Sequence, residues 1–224
     1  MSDQLALVPG YLTAHLQLSL VALAVGTGVS VPLGIWLTRR PSLEPGVLGV
    51  ASVIQTIPSL ALLAIMVPAL AALGGLLAGL GVELRGIGYT PALIALSLYS
   101  VLPILRNTVA GLEDVDQAVI ESAKGMGLNK SQRLVRIELP LAWPIILTGI
   151  RVATLLNLGI SAIAPLVGGT GLGRYINDGL QRFPDVASVE RMWTGVVFTI
   201  VLALIADLAF TLIRRLTTSK GIRS

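Results

Sequence analysis

Charge and aromatic rings are both scarce in this chain of 224 residues: 12% are charged and 4% are aromatic. A soluble domain carries about a quarter charged residues, so the deficit points to lipid as the solvent. Cysteine is absent, which excludes disulfides, thiol nucleophiles and thiolate metal sites. The one histidine, His15, cannot make a metal site alone and is expected at the membrane interface, without chemistry. No catalytic residue and no metal ligand is identified. The net charge is +4, but the basic residues are scattered over polar breaks. With no cluster of base-reading or stacking side chains, nucleic acid is excluded as a partner.

What the chain does have is hydrophobic length: 54% of its residues are apolar. Lipid-exposed backbone must satisfy its own hydrogen bonds, which favours helices of about 20 residues. The expected fold is an all-α integral membrane protein, a single transmembrane domain over 1–224. Five spans are predicted, at 16–38, 47–70, 91–107, 144–166 and 193–213. The N-terminus lacks the basic region of a signal peptide and its first apolar run is too long for one, so it reads as a retained span. Residues 71–90, Gly-rich and carrying Glu83 and Arg85, read as an external connection.

Basic residues set the orientation. With the N-terminus outside and the C-terminus inside, 11 Lys and Arg fall on the cytoplasmic side, among them Arg39, Arg40, Arg214 and Arg215. Only Arg85, Arg174, Arg182 and Arg191 fall outside. Trp36, Trp143 and Trp193 all stand at predicted span ends, where amphipathic rings sit.

The longest polar stretch is the cytoplasmic loop 106–143. Within it Val119, Ile120, Ala123 and Met126 recur at helical spacing, giving a short amphipathic helix. Gly125 and Gly127 suit a helix end and tight turn. Leu134, Ile137 and Leu141 repeat the spacing, and Pro140 and Pro144 are expected to end that element and open the fourth span. A small helix with an apolar stripe can dock in a partner's groove. Ala123 and Gly127 would allow close backbone approach, and Glu121 would offer an anion to a basic partner residue.

The pattern at Glu121, Ala123, Gly127, Ile137, Leu139 and Pro140, with Ser122 in place of a second alanine, resembles that of ABC importer permeases of type I. Thr38-Arg39-Arg40-Pro41, 54–63, Leu102-Pro103-Ile104-Leu105-Arg106-Asn107-Thr108, Gly149-Ile150-Arg151 and the Gly-rich 168–173 are similar to its osmoprotectant branch. That resemblance implies a coupling helix held by a separate cytoplasmic ATPase, which would bind the ATP and Mg²⁺; this chain would bind no cofactor. It further implies a second permease subunit, identical or different, an external solute-binding protein, and the cytoplasmic membrane of a bacterium or archaeon as location. The cargo implied is a small quaternary amine such as glycine betaine, carnitine or choline. Residues 71–88 depart from the pattern by length and glycine content.

Gln55, Thr56, Ser59, Tyr99, Asn157 and Ser161 are polar groups within spans. They either line a solute path or bond one helix to another. Pro58 is expected to open the second helix and leave a carbonyl free toward a cavity. Arg151 and Asp207 are the ionisable residues inside spans, expected to pair structurally. Gly168 to Gly173 has the spacing of a phosphate loop, but Arg174 and Tyr175 stand where Lys and Ser or Thr are needed. Three rivals remain open. The cargo could be methionine or another amino acid; the chain could be an ion-coupled secondary transporter, or a non-transporting scaffold.

Overall fold

The uncharged Leu, Val, Ala and Ile runs do form helices. The structure, a computed structural model, describes residues 6–77 and 86–218, and all of its regular elements there are helical. In chain order they are α1 (Val8–Leu37), α2 (Glu44–Thr56), α3 (Ser59–Leu77), α4 (Tyr89–Glu113), α5 (Gln117–Gly125), α6 (Lys130–Arg133), α7 (Leu139–Ser161), α8 (Gly173–Gln181) and α9 (Val186–Thr217). A π-turn, Leu134–Glu138, joins α6 to α7, and a 3₁₀ turn, Ala164–Val167, follows α7. Five helical segments are long and apolar enough to cross a membrane: Val8–Leu37, Ser59–Leu76, Tyr89–Glu113, Lys130–Ser161 and Val186–Thr217.

The predicted number of spans holds, and the boundaries move. The first helix starts near residue 8, with Pro9 in its first turn, where a missing N–H costs nothing. The segment 47–70 is two helices, broken at Ile57 and Pro58, where Ile57 is extended. The third span continues past 107 to Glu113, and the fifth grows at both ends. In the fourth, neither Pro140 nor Pro144 stops the chain. Pro140 sits in the first turn of α7 just after the π-turn, and Pro144 lies inside the helix. The widened turn reshapes the backbone bonding where Pro140 enters. Of the segment 71–90, residues 71–77 still belong to α3 and 89–90 to α4. Glu83 and Arg85 lie outside the described residues.

Helix α4 is the centre, packed most extensively on α1 and α7 and also touched by α2 and α3. The seams are close because small residues line them. On α1, Gly26, Ser30 and Gly34 follow one another on the face toward α4. A Cβ at Gly34 would sit 2.7 Å from Thr108 Cγ2, and one at Gly149 of α7 would sit 2.6 Å from the Pro103 carbonyl oxygen of α4. Helix α9 packs against α8 and α7. Its other faces expose Ile200, Leu204, Leu208 and Leu212. In water such a surface would drive aggregation; against acyl chains it is solvated.

Candidate functional site

The bundle end that carries Arg39, Arg40, Arg214 and Arg215 is the one expected to face the cytoplasm. There the chain between α4 and α7 folds into a helical hairpin. Asp116 caps α5 by accepting a bond from the Ala118 N–H at 2.8 Å. The far end of α5 closes when Gly127 donates to the Lys124 carbonyl and Leu128 to the Ala123 carbonyl, a Schellman closure. Gly127 holds φ at +81°, which an L side chain adopts only with strain. A second cap starts α6: Asn129 and Gln132 bond each other's backbone N–H, both at 2.9 Å. The sequence therefore fixes both arms and the turn locally.

The hairpin presents some expected residues and hides others. Val119, Glu121, Ser122 and Met126 are exposed, Met126 by 69%. Ala123 is buried within the chain, so it packs the hairpin rather than lying open to a partner. A Cβ at Gly127 would meet nothing within this chain; the turn, not crowding, requires glycine there. Glu121 pairs with Lys124 at 2.6 Å on its own helix. The bond to Lys124, and then its charge, holds the Glu121 carboxyl below its ordinary value, with Arg133 helping from α6. The Ser122 hydroxyl turns back to the Ala118 carbonyl at 2.8 Å. Ile137 and Leu139 are half-buried and Pro140 is exposed.

The hairpin is rooted in the bundle at two places. Leu134 and Leu139 pack on a cluster formed by Leu112, Ala142 and Ile146, which Ile35 of α1 also joins. Beside it Glu138, 3% exposed, accepts a bond from Arg39 just past the C-terminal end of α1. Arg133 Nε lies 3.9 Å from the other Glu138 oxygen. One buried carboxylate thus bridges α1, α6 and the root of α7. Sequence reasoning passed over Glu138 because it occupies an unspecified position of the Ile137–Pro140 pattern. The clue was available: an acid among apolar residues, with basic residues on both neighbouring segments.

The residues weighed as path-lining do not form one site. Asn157 and Ser161 are buried, Asn157 donating to Ser100 at 2.8 Å. Ser161 bonds His15 Nε2 at 2.7 Å, and Ser19 donates to it at 3.1 Å. His15 is therefore not interfacial: it is fully buried where α1 meets α7 and the Gly171 turn. A buried polar group needs partners, and Ser161 supplies one. Tyr99 donates its hydroxyl to the Ile57 carbonyl, so the carbonyl freed near Pro58 is occupied. Gln55, Thr56 and Ser59 flank the break between α2 and α3, and only Thr56 is exposed. Arg151 and Asp207 form a bidentate pair, both bonds 2.6 Å, joining α7 to α9. The Gly-rich 168–173 turn packs on the bundle, with Gly88 donating to the Val167 carbonyl. Among the described residues no cluster of acids or histidine could hold a metal ion.

Comparison with known proteins places this arrangement. A family model described as "binding-protein-dependent transport system inner membrane component" matches residues 30–219. A Bacillus subtilis glycine betaine/carnitine/choline transport system permease protein is 39% identical over 209 residues, covering 93% of this chain and 88% of its own length. A Salmonella typhimurium osmoprotectant import permease protein is 37% identical over 218 residues, covering 96% and 95%. Among solved structures, a chain of an inward-facing methionine ABC transporter superposes with a TM-score of 0.81. That match covers 98% of this chain and all of that one at 23% identity, a likeness of fold.

Proposed function

Because the chain belongs to the family of binding-protein-dependent transport inner membrane components, we propose that it serves ATP-driven import of a small quaternary-amine osmoprotectant. The chain is a multi-pass membrane permease subunit with the type I ABC importer fold. The cargo reading rests on relatives at 37–39% identity named for glycine betaine, carnitine, choline or osmoprotectant transport. The chain has few aromatic residues, so the cage for a quaternary ammonium belongs to an external solute-binding protein.

The observation that carries the mechanism is the rooted hairpin. Helix α5 stands out from the bundle with Val119, Glu121 and Met126 exposed, the surface an amphipathic helix offers to a groove. A separate cytoplasmic ATPase would hold it and bind ATP and Mg²⁺. ATPase closure would push the hairpin. The push would reach α7 through the continuous helix from Lys130 to Ser161 and reach α1 through Arg39 and Glu138. A second permease subunit, identical or different, completes the path. The membrane is the cytoplasmic one, with the N-terminus outside.

The test is uptake of radiolabelled glycine betaine into proteoliposomes containing the permeases, the ATPase and the binding protein. Glu121→Lys and Gly127→Pro should abolish uptake while membrane insertion stays intact. Normal uptake together with normal co-purification of the ATPase in both variants would refute the docking role.

A further inference from the structure

Beside the hairpin, between the inner end of α1 and α6, lies a cavity of about 580 Å³. Ligand sites run from about 300 to 1,000 Å³. Its lining divides in two. Ile35, Trp36 and Leu134 give an apolar side, and Arg39, Lys130 and Arg133 give a cationic one. Glu138 offsets one of these charges. Lys130 has no ion pair among the described residues. Arg133 lines the cavity with its Nε turned toward Glu138, 3.9 Å from Oε1. The cavity therefore keeps an excess of positive charge.

Its place narrows the ligand. Trp36, 46% exposed, stands one residue before the end of the first span, at the depth where tryptophan marks the lipid headgroups. A soluble anion would match the cations and leave the apolar side bare. An acyl chain would match the apolar side and leave the cations bare. We propose that the cavity binds the headgroup of an anionic phospholipid, its phosphate on Lys130 and Arg133 and its glycerol and first methylenes on Ile35, Trp36 and Leu134. Basic pockets between spans on the cytoplasmic side suit such headgroups. The assignment to the inner leaflet rests on the orientation given above. A lipid held there bridges α1 and α6, alongside the Glu138 contact.

The test uses the full-length permease chain in nanodiscs, with Trp143→Phe and Trp193→Phe leaving Trp36 as the fluorescent reporter. Brominated phosphatidylglycerol, a minor component in phosphatidylcholine, is compared with brominated phosphatidylcholine at the same fraction. The expected result is stronger quenching by the anionic lipid. Lys130→Gln should lower that preference about fivefold, the equivalent of about 1 kcal/mol for a basic residue near a membrane surface. Ser131→Asp, which adds a negative charge at the cavity, should lower it too, while Arg40→Gln, outside the cavity, should not. Equal quenching by the two lipids, or equal loss in Lys130→Gln and Arg40→Gln, overturns the proposal. So does removal of the preference by inorganic phosphate or glycerophosphate, which would identify a free-anion site. The readout is binding rather than uptake, so its failure leaves the transport reading standing.

Discussion

Replacing Glu138 by Gln removes a carboxylate that joins α1 to the root of the hairpin, and the structure sets the size of the effect. Breaking a fully buried pair costs about 3–5 kcal/mol because the surviving charge is stranded. Breaking an exposed pair costs about 0–1 kcal/mol. Here the carboxylate side chain is 5% exposed, but Arg39 is 49% exposed and can turn to water. Arg133, 13% exposed, cannot turn out as easily. The expected cost of Glu138→Gln is therefore intermediate, about 2 kcal/mol. Arg39→Gln alone should cost about 1 kcal/mol, and the double variant about 1 kcal/mol less than the sum. Denaturant titration in lipid–detergent micelles measures all three. The same variants in proteoliposomes should hydrolyse ATP while transporting less solute per ATP. Additivity within about 0.5 kcal/mol, with an unchanged ratio of uptake to hydrolysis, would refute the idea that this ion pair carries force.

Other outcomes follow from single contacts. Gly127→Ala should weaken the hairpin by about 1 kcal/mol, because its φ of +81° strains an L side chain; Gly127→Asn should recover part of the loss, read as ATPase co-purification. Gly149→Ala places a methyl 2.6 Å from the Pro103 carbonyl and should cost about 1–3 kcal/mol by forcing α4 and α7 apart, visible as a lower unfolding midpoint. Asp207→Asn strands Arg151 between α7 and α9 and should destabilise the fold, whereas the Arg151→Gln/Asp207→Asn pair should be milder than the sum of its parts. Lys124 depresses the Glu121 carboxyl, so its ion pair is intact above the ordinary carboxylate value. It is lost only as pH falls through the depressed one, and ATPase binding titrated against pH should be flat around neutrality.

Local chemistry was readable directly. The spans are legible because lipid leaves the backbone no alternative to helix over uncharged runs such as 16–38. The hairpin's helical spacing and its Gly127 turn are legible because those signals are short-range; the Asp116 cap and the Asn129–Gln132 box act over equally few residues and emerged only with the structure. Proline misled for the same reason. Pro140 and Pro144 read locally as breaks, yet the packing of Ala142 and Ile146 on Leu112 of α4 keeps α7 continuous and the π-turn absorbs the irregularity.

The chain by itself determined its all-helical class, its five candidate spans and the spacing of the hairpin between α4 and α7. These depend on composition and on neighbours along the sequence. Only the tertiary structure decided that Ala123 turns inward and that His15 meets Ser161 across 146 positions. It also decided that Tyr99 closes the gap at Ile57 and that Glu138 reaches Arg39. Each of these depends on which helix faces lie together. That is set by the close seams at Gly34 and Gly149, where three-dimensional fit, rather than any local pattern, selects the partner.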